Sequence, residues 1–228
     1  MWDRMSGDSV IRVIVVEDQP LFRSMLSDVV RTEDGFALVG AAESVADARR
    51  LIASAHADVL LLDVELPDGN GFALARSVRM ERPGIGVVLL SGHNVMELLL
   101  SVPDGERAGW SYLSKFSSTS RATLVRALRA SARGGSMLDP ELLASVQPRR
   151  GSALASLTPR QFHALRLLAE GLSNAAIARE MSISTHSVDN LLNAVYTTLG
   201  VRDDGELNSR VAAALHLVRD GAISRDAV

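Results

Sequence analysis

Residues 58–71 read DVLLLDVELPDGNG. The apolar run between the two aspartates predicts a strand buried on both faces. Pro67, Asp68, Gly69, Asn70 and Gly71 then turn the chain sharply away, leaving the strand end at Asp63 open. Functional groups of parallel sheets collect at the carboxyl ends of strands, which makes Asp63 the first residue to watch. Working outward, similar short apolar runs lie at 11–16, 36–41, 85–90 and 110–113. Between them the pattern is helical, at 20–31, from a Ser44 cap to 55, at 71–81 and at 118–133. Strands alternating with helices predict a parallel sheet covered on both faces.

Residues 134–156 change character. GGSMLDPELLASVQPRRGSALAS carries Gly-Gly, two prolines and an RRGS turn, and reads as a linker holding one short helix over 139–146. From Leu157 the pattern is all helical. Thr158 caps a helix with Pro159 at its first position, and Gly171 follows its end. Ser173 caps a second helix running to 181. After the turn at 182–184, a third helix carries an apolar stripe of Val188, Leu191, Leu192, Val195 and Leu199 and stops at Gly200. Asp203 can cap a fourth, with Leu207, Val211, Leu215 and Val218 on one side. A short helix, a tight turn and a second helix form a helix-turn-helix pattern. The expected fold class is α/β plus all-α. A five-stranded, doubly wound parallel domain (9–133) is joined by the linker (134–156) to a four-helix helix-turn-helix domain (157–222).

Composition narrows the setting. The 228 residues are 47% hydrophobic and 22% charged, within the ordinary globular range. There is no cysteine, which excludes disulfides and thiolate metal sites and fits a reducing compartment. No apolar segment is long enough to span a bilayer, and MWDRMSGDSV lacks an apolar signal core. The expectation is a cytoplasmic protein without a membrane partner. Of 24 basic residues only Lys115 is lysine, so a lysine retained there suggests a need for a compact ammonium rather than a planar fork.

The strand ends carry Glu17 and Asp18, Asp63, Ser91, and Lys115. Three carboxylates converging on one crevice repel unless a cation sits among them. Mg²⁺ is the natural choice for such hard oxygen ligands. The set suits phosphoryl transfer to a carboxylate, with Asp63 as nucleophile. Singly, each residue also suits a helix N-terminus, a turn cap or a surface charge; it is their order at successive strand ends that points to chemistry.

VVEDQP, DVLLLDVELPDGNG, VVLLSGH and GWSYLSKFS together make residues 11–133 resemble the receiver domain of two-component response regulators. That resemblance implies Mg²⁺ bound by Glu17, Asp18, Asp63 and the backbone carbonyl of Glu65. It implies that Asp63 accepts phosphate from a sensor histidine kinase, that Ser91 and Lys115 contact the phosphoryl group, and that Tyr112 is the switch aromatic. One departure from the family is the sequence 102–109, VPDGERAG, where Pro103 and Gly105 disfavour a continuing fourth helix. LTPRQFHALRLLAEGLSNAAIAREMSISTHSVDNLLNAVYTTLGV resembles the LuxR/NarL/FixJ-type helix-turn-helix. Phosphorylation, by the same resemblance, releases or dimerises this module, and a homodimer binds a two-part site on double-stranded DNA.

The third helix of that module departs from the family where DNA is touched. The family commonly has lysine at the position of Asp189, histidine at Leu191 and a basic pair at Thr197-Thr198. From Thr158 onward seven arginines face eight acids, a balance of −1 and no basic footprint. DNA contact is therefore expected through Thr185, Ser187, Val188, Asn190 and Asn193, with Asp189 accepting from cytosine and Arg179 and Arg202 holding phosphates. The competing expectation is a degenerate helix acting through protein–protein contacts. No enzymatic activity is expected beyond self-catalysed phosphoryl transfer to and from Asp63.

Overall fold

The computed structural model describes residues 10–93, 98, 100–103, 106–201 and 209–223. The first half is an α/β domain. Strands β1 (Ile11–Val16), β2 (Phe36–Ala42), β3 (Val59–Asp63), β4 (Gly86–Ser91) and β5 (Trp110–Ser114) form one sheet in the order β2-β1-β3-β4-β5. All four pairings are parallel. Strand order reverses between β1 and β3, so a crevice opens at their carboxyl ends.

Pleating divides each strand between two cores. Val13, Val15, Val59, Leu61, Val88 and Leu90 pack with Leu26 and Leu128 from helices Pro20–Thr32 and Arg121–Ala132. Ile14, Val16, Leu60, Leu62, Val87 and Leu89 face the other way, with Ile52 and Leu74 from helices Val45–Ser54 and Gly71–Glu81. Helix starts follow local chemistry. The Ser44 side chain accepts from the Asp47 amide, and Asn70 accepts from Ala73. The helix expected at 118–133 begins later, because Ser117–Thr119 form a 3₁₀ turn and Ser120 supplies the cap.

The segment read as a linker does hold a helix, Pro140–Ser145, but it is built into the fold. Met137 is fully buried in the same core as β1 and β3. Its amide donates to Ser111 Oγ at 2.9 Å, and its carbonyl accepts from the Tyr112 amide at 2.9 Å. Asp139 is 1% exposed. Its Oδ2 accepts from the Ser114 amide at 2.7 Å, while Oδ1 accepts from the Glu141 and Leu142 amides at 2.9 and 3.0 Å. One carboxylate thus caps the short helix and holds it to the end of β5. Leu138, Leu143, Val146 and Leu154 continue the core into the helical domain.

That domain contains helices Pro159–Ala169, Asn174–Glu180, Thr185–Leu199 and Ser209–Asp220. Thr158 and Gln161 form a reciprocal capping box, and Gly200 closes the third helix with φ 67° in the left-handed region. Asp203 and Leu207 lie outside the described residues. A pairing that no local pattern announces closes the domain: Val146–Pro148 runs antiparallel to Gly221–Ile223. No helix among the described residues is long and apolar enough to cross a membrane.

Candidate functional site: an acidic crevice and an uncharged helix face

Glu17 and Asp18 follow β1, and Asp63 ends β3. Carboxylate oxygens of the three lie within 4.8 Å of one another. Glu17 is fully buried and Asp63 is 2% exposed. Lys115, one residue past β5, reaches across and donates from Nζ to Asp63 Oδ2 at 2.8 Å and to Glu17 Oε1 at 3.0 Å. Its ammonium also lies 5.4 Å from the centroid of the Phe22 ring. The only lysine in the chain therefore bridges two buried acids of the crevice, Glu17 and Asp63. Burial opposes its charge, yet the hydrogen bonds it donates to Asp63 and Glu17, with their negative charges, prevail and raise its pKa.

Burial pushes Glu17 up to about 7, against the hydrogen bonds from Lys115 and the Gln19 amide; the nearby charge of Asp63 adds to the rise. Glu17 Oε2 is buried with no hydrogen-bond partner among the described residues. A buried carboxylate oxygen left unpartnered is costly. Here it belongs to a cluster of three acids opposed by one ammonium, the donor set a divalent cation satisfies. The residues present fit a hard cation.

The remaining expected residues gather around the same crevice. Asp63 Oδ1 accepts from the Glu65 amide at 3.1 Å. Ser91 is fully buried; its Oγ accepts from the His93 amide at 3.1 Å, and its carbonyl accepts from the Lys115 amide at 2.9 Å. Tyr112 is turned inward at 3% exposure, with its hydroxyl donating to the His93 carbonyl at 3.0 Å. That bond ties the aromatic ring to the loop beginning at Ser91.

Several supports carried no signal in the sequence. Arg23 donates to the backbone carbonyls of Glu17 and Asp18 at 2.7 and 2.9 Å, fixing the acid pair from behind. Asp68 accepts from the Val45 and Ala46 amides at 2.7 and 2.9 Å, pinning the turn after Asp63 to the next helix. Those amide bonds, Ala46's first, hold the Asp68 pKa below its usual value. Gly71 passes so close to β3 that a Cβ there would stand 1.9 Å from the Asp63 carbonyl oxygen. Only glycine permits that approach.

Val188 is fully buried with Leu192 and Val195, a correction to its expected DNA contact: the apolar stripe of the helix turns it into the core. Thr185, Ser187, Asn190 and Asn193 are exposed, and so is Arg179 on the preceding helix. Arg202 lies outside the described residues. Asp189 is half-buried and accepts from Asn174 Nδ2 at 2.7 Å. Asn174 Oδ1 in turn accepts from Arg210 Nη1 at 2.6 Å, and Arg210 Nη2 donates to the Leu172 carbonyl at 2.5 Å. Asp189 thus ends a polar relay joining three helices. Its charge is spent on holding the helix-turn-helix together rather than on facing a ligand.

This assigns a test. Asp189→Asn keeps an acceptor for Asn174 and removes the charge, so thermal stability should change by less than about 1 kcal/mol. Asp189→Ala removes the acceptor and should cost more, about 1–2 kcal/mol, by leaving Asn174 unsatisfied. Equal melting temperatures for the two variants would sink the relay.

Known proteins share both halves. The response regulator receiver domain family matches residues 13–128, and the LuxR family of bacterial regulatory proteins matches 155–217. The DNA-binding transcriptional activator DevR/DosR of Mycobacterium tuberculosis is 33% identical over 199 residues, covering 84% of this chain and 89% of its own. The transcriptional regulatory protein YdfI of Bacillus subtilis is 27% identical over 221 residues, covering 94% and 99%. A structure of the Salmonella typhimurium RcsB response regulator shares the fold, with a TM-score of 0.52 at 21% identity, covering 88% of this chain and 96% of that one. With the receiver family matched over 13–128 and the LuxR family over 155–217, on top of the acid crevice and the helix-turn-helix, the chain belongs to the LuxR-family response regulators of two-component systems.

Proposed function

We propose that this chain is a phosphorylation-controlled transcription regulator that takes a phosphoryl group on Asp63 and binds double-stranded DNA through its third C-terminal-domain helix. The observation that carries the reading is the Lys115 bridge between Asp63 and Glu17 beside a Glu17 oxygen that has no hydrogen-bond partner among the described residues. In the proposed reaction an Asp63 carboxylate oxygen forms a bond to phosphorus as the P–N bond of a sensor kinase's phosphohistidine breaks. Mg²⁺, held by Glu17, Asp18, Asp63 and the Glu65 carbonyl, supplies charge neutralisation to the phosphoryl oxygens when bound. Lys115 neutralises the same oxygens from the β5 side, and Ser91 offers its hydroxyl. Movement of the loop at Ser91 toward the phosphoryl group would reach Tyr112 through the His93 carbonyl. The activity of DevR/DosR as a DNA-binding activator supports the second half of the reading. The exposed, uncharged face of Thr185–Leu199 offers hydrogen bonds to bases rather than charge to phosphates, so affinity should depend strongly on a homodimer.

Mg²⁺ should stabilise the protein before any phosphoryl transfer. At about 100 times its Kd, a ligand binding only the folded state adds about 2.7 kcal/mol. Glu17→Gln should lose most of that gain in a thermal melt with and without Mg²⁺; an undiminished shift would remove Glu17 from the site. The function itself is tested by selecting DNA from genomic fragments with the full chain, with and without a phosphoryl donor. Enrichment of a two-part motif supports it, and no enrichment in either state refutes it.

A further inference from the structure

A cleft of about 1330 Å³ lies between the receiver and the helical domain. Its receiver wall is one face of helix Arg121–Ala132 and the residue after it. Ala122, Val125, Arg126, Arg129 and Arg133 recur at i, i+3, i+4, i+7 and i+11. Its opposite wall is the first helix of the helix-turn-helix, including Ser173, Asn174, Ala176 and Arg179. Among the described residues, six arginines and two glutamates line the cleft, in a chain whose net charge is −3. Glu33 engages Arg121 and Arg129 at 2.9 and 3.1 Å. Arg126 Nε is buried with no hydrogen-bond partner among the described residues. The other glutamate, Glu180, stands beside Arg179 in sequence.

The position of this cleft says which anion it suits. In a helix-turn-helix the second helix enters the major groove while the first crosses the sugar–phosphate backbone. Here the first helix forms one wall of the arginine-lined cleft. No residue of Thr185–Leu199 lines the cleft, so its exposed polar face stays open while the receiver is docked. A duplex lying on that face would run its backbone past the mouth of the cleft, toward positive charge that the helical domain itself lacks.

We infer that the Arg126–Arg133 face of the receiver is a second phosphate-contacting surface for duplex DNA, acting with Arg179 across the cleft. The inference rests on the proposed DNA binding and locates the missing part of its grip. Each phosphate neutralised contributes about 0.9 to the slope of log K against log salt. Arg126→Gln/Arg133→Gln in the full chain should lower that slope by about 2 and weaken binding to a selected and a random-sequence duplex alike. Arg126→Lys/Arg133→Lys should keep the slope. Ala122→Glu, at an exposed position in the cleft wall, adds an acid without removing any contact and should weaken binding in the same salt-dependent way. If wild-type chain selects DNA but Ala122→Glu and the glutamine pair bind it with unchanged or greater affinity, the inference fails and DNA binding stands. If wild-type chain selects no DNA in either phosphorylation state, both fail.

Discussion

Asp63→Asn should take up no phosphate from a phosphorylated kinase or a small phosphoryl donor, while the chain stays folded. The substitution is nearly isosteric and keeps an oxygen for the Glu65 amide, which Asp63 Oδ1 now engages at 3.1 Å. It removes the nucleophile and one of the two acids that Lys115 bridges. With Glu17 still paired to Lys115, the remaining charges are better balanced than before, so the melting temperature without Mg²⁺ should hold or rise. Labelling with a radioactive phosphoryl donor and a thermal melt of the same sample separate chemistry from folding. Persistent labelling of a folded Asp63→Asn chain would remove the acceptor assignment. The neighbouring carboxylates are poor substitutes: Glu17 is fully buried and already tied to Lys115 and the Gln19 amide.

Asp139→Ala should be strongly destabilising although it removes no apolar packing. Its carboxylate satisfies three backbone amides, those of Ser114, Glu141 and Leu142, at a site 1% exposed. Loss of a helix cap costs about 1 kcal/mol, and a buried amide left without a partner costs a further 1–3 kcal/mol. The expected total is about 3 kcal/mol, or roughly 6–12 °C in melting temperature for a chain of this size. Asp139→Asn keeps one acceptor oxygen and should fall between. The Ser114 amide lies next to Lys115, so Asp139→Ala should also loosen the link between the phosphorylation crevice and the helical domain. That loss would show as DNA binding that no longer responds to the phosphoryl donor. A change in stability below about 0.5 kcal/mol would mean the amides find other partners, and that Asp139 holds nothing together.

Much of the fold was legible because it follows local rules. Strands showed as short apolar runs, and helix ends showed as Ser44, Thr158, Ser173 and Gly200, each acting through neighbours within a few residues. The crevice was legible because parallel sheets bring successive strand ends together, so the order of Glu17, Asp63, Ser91 and Lys115 along the chain became proximity. The linker was misleading for a definite reason. Its glycines and prolines signal turns, but Met137, Leu138, Leu143 and Val146 within it are buried. An apolar pattern that short has no period to measure, so its destination depended on the surface it met.

Asp189 shows the same division most sharply. By itself the sequence determined that this helix presents no positive charge and that Val188, Leu192, Val195 and Leu199 share one side, since both are matters of composition and spacing. Only the tertiary structure decided what the lone acid does. Asn174 stands 15 positions before it, and Arg210 a further 36 positions from Asn174. The arginines on the two walls of the cleft are likewise distant in sequence, with Arg126 on the receiver and Arg179 on the helix-turn-helix. Charge can be counted along a chain, but the partner that spends it is chosen by packing, through hydrogen bonds whose ends no local pattern connects.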